Sequence, residues 1–192
     1  MTEEKEPRKI WYKLRGALIV PFFLVAILYD GCDTTMTAAL YVLGALLFLL
    51  GWGLRIWAQI HLHYRLKAHK QMTSTGPYVY VRNPIYWGNT FILLGITVLG
   101  GFLWWVPAMF LACAFTYHMT VLYEEGHLTR KYGAPYVEFL GRIPRWIPSI
   151  KGKTYVKTDN FRLYFWDSLK AELHMLALLL VWVIAELAKS MF

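Results

Sequence analysis

The chain has 192 residues, of which 57% are hydrophobic, 17% aromatic and only 17% charged. That much apolar surface exceeds what a soluble domain of this length buries, and it points to lipid as the solvent. A net charge of +8 would suit a nucleic-acid partner, but the distribution of the basic residues argues against one.

Five apolar segments follow in chain order. Residues 16–29 come after a basic stretch. No small-x-small cleavage site follows them, so they read as an uncleaved first span rather than a signal peptide. Residues 36–54 form a full span. Residues 83–99 and 102–123 form a pair split by Gly100-Gly101. Residues 173–185 are short, bracketed by Glu172 and Glu186. A span needs about 20 apolar residues, so the first and last must borrow flanking ones, with Trp11, Tyr12, Arg15, Lys170 and Lys189 snorkelling or lying at the interface. The expected fold is all-α, a polytopic membrane protein with about five transmembrane helices. With the N-terminus in the cytoplasm, 19 of the 20 Lys and Arg residues fall on the cytoplasmic side and only Lys189 falls outside. This positive-inside bias explains the charge without nucleic acid. Cys32 and Cys113 match no metal or redox spacing and read as packing residues. Three regions are expected: an N-terminal membrane segment (1–50), a core (51–150) and a C-terminal extension with the last helix (151–192).

Polar residues with chemical potential collect on the cytoplasmic side. His61, His63 and His69 lie in the first cytoplasmic loop region, and Glu124, Glu125 and His127 open the second. The histidine spacing fits interfacial residues better than metal ligands, and no metal site is expected. No nucleophile setting, Walker loop or GxGxxG after a strand occurs. Gly51-Trp52-Gly53, inside the second span, allows two readings: close helix packing, or room for a flat ligand.

"VRNPIYWGN" (81–89) carries the last charge, Arg82, before forty-one residues without Lys, Arg, Asp or Glu. Pro84 suits the first turn of a helix, with Asn83 as its N-cap. That helix end and Arg82 together favour an anion. Glu124 and Glu125 arrive together where the uncharged run ends. Adjacent helical residues diverge by about 100°, which leaves two readings: simple solvation at a helix end, or one carboxylate that faces inward and needs a partner. The hairpin of the third and fourth spans brings Pro84 and Glu124 to one membrane level, which makes Arg82 the candidate partner under the second reading. In the tail, "KYGAPYVEFLGRIPRWIPSI", Gly133 stops a helix, and Pro135 opens a short one that Gly141 ends. Arg142, Pro144, Arg145 and Pro148 then form a stiff basic strip, which reads either as a headgroup contact or as a lid over a substrate mouth.

"TSTGPYVYVRNPIYWGN", a two-span hairpin and "YEEGHLTRKYGAPYVEFLGRIPRWIP" follow in order. Together they resemble the integral membrane methyltransferases of the isoprenylcysteine carboxyl methyltransferase and phospholipid methyltransferase group. The resemblance covers about residues 51–150. It rests on G-x-Y, R-[HN]-P-x-Y-x-G, E-E, Y-G-x-x-Y and R-[VI]-P in that order. It implies S-adenosylmethionine as cofactor, in a pocket on the cytoplasmic face. It places His69, Gly76, Tyr78, Arg82, Asn83, Pro84 and Tyr86 around that cofactor, with Glu124 and Glu125 opposite and Arg142 near the substrate. The cofactor's carboxylate suits Arg82 and the helix end, and its ammonium and ribose suit Glu124 or Glu125.

The resemblance implies a lipid or amphiphilic acceptor entering from the membrane. Asn83 in place of the usual histidine, "LYEE" and Gly51-Trp52-Gly53 are closer to the phosphatidylethanolamine methyltransferases, which makes a phospholipid amine the leading acceptor. An amine must shed a proton, for which Glu125 or a histidine would serve. "GRIPRWIP" is closer to the carboxyl methyltransferases, where Arg142 would hold a prenylcysteine-like acceptor. Two further readings are an NADPH-dependent sterol-type reductase, against which Tyr136 and the paired glutamates argue, and a non-catalytic lipid-binding protein. The membrane would be a cell inner membrane or the endoplasmic reticulum. The sequence leaves oligomeric state open.

Overall fold

A backbone in lipid must satisfy its own hydrogen bonds, and helices do so within each segment. The computed structural model describes residues 8–28, 36–62, 72–149, 161–189 and 191, and among these there is no strand. Seven helices follow in order: α1 (Arg8–Leu28), α2 (Ala38–Leu62), α3 (Pro84–Leu99), α4 (Val106–Tyr132), α5 (Ala134–Arg142), α6 (Phe161–Glu172) and α7 (His174–Lys189). Short 3-10 turns stand at Gly76–Val79 and Leu103–Trp105. The chain is an all-α polytopic membrane protein. His63, His69 and Cys32 lie outside the described residues.

Four helical stretches are long and apolar enough to cross a membrane: Lys9–Leu28, Ala38–Leu62, Leu103–Tyr132 and Tyr164–Ala188. The first and last reach this length by extending into polar flanks. α1 starts eight residues before the apolar run, and α6 continues α7 backwards to Phe161 through a break at Leu173. The fifth helix, α3, is shorter. Its 16 residues span about 24 Å, below the roughly 30 Å of a hydrocarbon core. Eleven of those residues are buried, so α3 matches its neighbours rather than the lipid.

α3 packs chiefly on α2, and α1 on α4. Two glycine pairs set the α2–α3 approach. A Cβ on Gly95 would lie 2.8 Å from the Gly44 carbonyl, and one on Gly51 would lie 2.5 Å from the Gly88 carbonyl. Gly51 therefore serves close packing, as small residues do between membrane helices, whereas Gly53 faces open space. Ile19, Phe23 and Ile27 of α1 meet Phe48, Ile92, Ile96, Met109, Cys113 and Val121 in one core. Cys113 is a packing residue there. Thr90, Thr97 and Thr120 are buried and return their hydroxyls to the carbonyl four residues back, each at 2.8 Å. This satisfies them inside an apolar helix. Leu43, Leu46, Leu49 and Leu50 line an exposed face of α2, as a lipid-facing surface requires.

α4 runs two turns past the end of its apolar stretch, so Glu124, Glu125 and His127 all stand on one continuous helix. It stops at Gly133, whose φ of 64° is a conformation glycine adopts without strain.

Candidate functional site

At the basic end of the bundle, α1, α2, α3, α4, α5 and the 72–83 segment enclose a cavity of about 620 Å³. That is an ordinary size for a small-molecule site. Tyr78, Arg82, Asn83, Pro84, Tyr86, Glu124 and Glu125 all line it, so the hairpin does bring the two sequence segments together. Gly76 does not line the cavity. It turns the chain at φ +61°, and any Cβ there would collide with the His61 ring. His61 is fully buried and contacts Thr75 Oγ1 through Nδ1 at 2.9 Å. Arg142 is not brought to the cavity either. It stands on the outer face of α5, 67% exposed, paired with Glu138 at 3.5 Å.

Glu125 is the inward carboxylate. Arg82 Nη1 approaches its Oε1 at 2.8 Å. Arg145 donates to it twice, Nε to Oε1 at 3.0 Å and Nη2 to Oε2 at 2.6 Å. This pairing satisfies a nearly buried charge by charge-assisted bonds. The Glu125 hydrogen bond raises the pKa of Arg145 above its ordinary value, against partial desolvation. Glu124, next along the helix, differs. It accepts the Tyr86 hydroxyl at 2.8 Å and forms no ion pair among the described residues.

The basic strip after α5 is a fixed wall. Arg82 N donates to Pro144 O at 3.0 Å and Ser149 N to Tyr80 O at 3.0 Å. Asn83 Nδ2 donates to Arg145 O at 3.2 Å, and Trp87 Nε1 to Trp146 O at 2.8 Å. Asn83 occupies the N-cap position of α3 but makes no capping bond; its side-chain amide donates to this strip instead.

Residues that sequence reasoning missed complete the wall. Tyr12 and Arg15 of α1 line it, where they had been read as interfacial anchors, and so do Arg55 and Gln59 of α2 and Asn89 of α3. Their spacing, three on α1 and four on α2, was the available signal. Tyr136 of the Y-G-x-x-Y motif also lines it. Burial, reinforced by Glu124, pushes the Tyr78 hydroxyl far above its usual pKa. Burial, reinforced by Glu125, does the same for Tyr136. Both phenols thus stay protonated.

A second cavity of about 510 Å³ lies against the first, lined by Trp87, Thr90, Phe110, Cys113, Ala114, Phe115, Tyr117, His118 and Trp146. It is nearly all apolar and opens toward the exposed face of α4, where Phe110, Leu111 and Phe115 stand. The stacked rings of Tyr86 and Tyr117, with centroids 4.8 Å apart, separate the two cavities.

Fold and site together define an integral membrane protein with a charged pocket at its basic end and an apolar groove beside it. Residues 39–135, half of the chain, match the phospholipid methyltransferase family model, and the chain belongs to that family. It is a membrane methyltransferase. No curated protein and no solved structure matches it significantly.

Proposed function

We propose that the charged cavity binds S-adenosylmethionine and that the enzyme methylates the amino headgroup of a phospholipid. The observation that carries this reading is the pair of contrasting carboxylates on one wall. Glu125 is saturated by Arg82 and Arg145, while Glu124, with only the Tyr86 hydroxyl among the described residues, is open to a cationic or hydroxyl-bearing ligand. Two buried polar atoms in the same lining, Arg82 Nε and Thr73 Oγ1, have no hydrogen-bond partner among the described residues. Buried polar groups are normally paired, so these two fit a polar ligand such as this cofactor.

S-adenosylmethionine supplies an electrophilic methyl group on a sulfonium. The chain's own part is binding and orientation. Arg82 Nε and the N–H groups at the start of α3 hold a carboxylate. Glu124 holds an ammonium or ribose hydroxyls, and Tyr78 and Tyr136 donate from the flanks. Glu125 anchors Arg82 and Arg145. Both of its oxygens are engaged, which leaves it poorly placed to take a proton. His118 of α4 lines the groove, with its ring 6.5 Å from that of Trp146. We assign proton acceptance from the acceptor amine to His118. The groove holds the acyl part of the acceptor, and the Tyr86–Tyr117 pair bounds its approach. The phospholipid methyltransferase family match and the position of Arg142 away from the pocket favour an amine over a prenylcysteine carboxylate.

Calorimetry of the purified protein with S-adenosylhomocysteine and with NADPH tests the cofactor assignment. Binding of the former alone supports it. Binding of NADPH alone supports the reductase reading, and binding of neither leaves the methyltransferase pocket without its cofactor.

A further inference from the structure

Among the described residues, one buried charged contact that the methyl-transfer reading leaves unused joins α2 to α6. Arg55 is 7% exposed and Glu172 fully buried. Arg55 Nε donates to Glu172 Oε2 at 2.6 Å and Nη2 to Oε1 at 3.0 Å. Arg55 Nη1 donates to Asn89 Oδ1. The Glu172 carbonyl, at the end of α6, accepts Trp52 Nε1 at 3.2 Å. α6 lies beyond the residues that match the family, while Arg55 and Asn89 lie within them.

A buried ion pair is weak evidence for stability, since apolar residues of similar volume often do as well. Within a membrane such a pair marks function by default. Here the second observation is geometric. Arg55 and Asn89 both line the charged cavity. A guanidinium has five N–H donors, of which, among the described residues, Glu172 takes two and Asn89 one. The Arg55 stem is also fixed, because it lies where a Cβ on Gly88 would come within 2.6 Å of its Cγ.

We infer that Glu172 is a positioning residue of the pocket. The C-terminal segment reaches back to clamp Arg55, so that its guanidinium meets the carboxylate of the bound cofactor alongside Arg82. The inference rests on the cofactor reading above. It assigns a part in ligand binding to the C-terminal extension, through a residue that itself touches no ligand.

The test is S-adenosylhomocysteine affinity of the full chain in lipid nanodiscs, with methyl-transfer kinetics on phosphatidylethanolamine vesicles. Loss of one charge-assisted bond is worth roughly tenfold in affinity. Glu172→Gln is expected to weaken S-adenosylhomocysteine binding and raise the cofactor KM by about that factor, with kcat within about twofold. Arg55→Lys keeps the charge but loses the fork, and should do the same. The reversal Arg55→Glu with Glu172→Arg restores pairing without restoring the cation at the wall, so affinity stays low in protein that remains folded. A purely structural clamp would lower the thermal midpoint and yield of Glu172→Gln while leaving affinity per folded molecule at the wild-type value. That result overturns the inference, as does recovery of affinity in the reversal. Should Glu172→Gln not fold, Arg55→Lys decides: wild-type affinity there overturns the inference. If the wild type itself binds no S-adenosylhomocysteine, the cofactor reading fails instead.

Discussion

Arg145 grips Glu125 with two bonds, Nε to Oε1 at 3.0 Å and Nη2 to Oε2 at 2.6 Å. It thereby ties the strip after α5 to the middle of the pocket wall. Arg142, three residues earlier and on the motif that sequence reasoning favoured, points to solvent beside Glu138. Arg145→Ala should weaken S-adenosylhomocysteine binding by roughly ten- to a hundredfold, since two charge-assisted bonds are lost and Arg82 loses its fixed partner. Arg142→Ala should change affinity by less than about twofold, because an exposed i,i+4 pair contributes little. Titration calorimetry on both variants checks the contrast. Equal losses would mean that Arg142 acts in the pocket.

Glu124 and Tyr86 form a second, separable pair. Tyr86→Phe retains the stack on Tyr117 and removes only the hydroxyl bond, worth about 1 kcal/mol or less than tenfold. Glu124→Gln removes the charge that faces the ligand and should weaken binding by roughly tenfold or more. The ordering, with glutamine worse than phenylalanine, is read from the same binding isotherms. A reversed order would place the ligand's cationic group elsewhere.

Two glycines act on the fold rather than on the ligand. Gly76→Ala sets an alanine at φ +61° against the His61 ring, which costs about 1–3 kcal/mol for the backbone alone. Gly95→Ala forces a Cβ to 2.7 Å from Phe48 N and 2.8 Å from Gly44 O. Both contacts are backbone, so α2 and α3 must separate. Each should lower the thermal midpoint in detergent, while Gly53→Ala, which meets nothing within 4 Å, should leave it unchanged. Affinity per folded molecule should hold in the Gly95 variant. Tryptophan fluorescence on heating measures the first, and calorimetry the second.

The helical plan was legible because apolar runs and charge placement dictate it. The spans, the Gly133 stop and the meeting of Arg82 with Glu125 follow from period, length and sign. The ends of the first and last helices were not legible. Hydropathy stops at the first charge, whereas Arg15 continues its helix by bonding to the Tyr12 carbonyl one turn back, and Glu172 continues its own with a partner from a distant helix, Arg55. Arg55 was counted only as a basic residue at the membrane surface. Its role depends on Glu172, 117 residues away, and no local spacing encodes that. Arg145 was likewise visible only as one charge of a strip, because the hydrogen bonds that seat the strip on residues 80–87 use the strip's backbone groups rather than its side chains.

His118 carries the proton-transfer part of the account. His118→Gln should reduce kcat on an amine acceptor by roughly a hundredfold, the scale of general-base catalysis, with S-adenosylhomocysteine binding unchanged. Single-turnover methyl transfer at saturating cofactor measures this. An unchanged rate would leave His118 as a packing residue beside Trp146.

The most direct test of the central claim is methyl transfer itself. Purified enzyme with methyl-labelled S-adenosylmethionine is given phosphatidylethanolamine vesicles or, in a parallel reaction, a prenylcysteine in the same lipid, and the products are resolved by mass. The account predicts label on the phospholipid nitrogen, reduced in Glu124→Gln and Arg82→Ala at limiting cofactor. Label on the prenylcysteine carboxylate alone, or on neither acceptor, would contradict it.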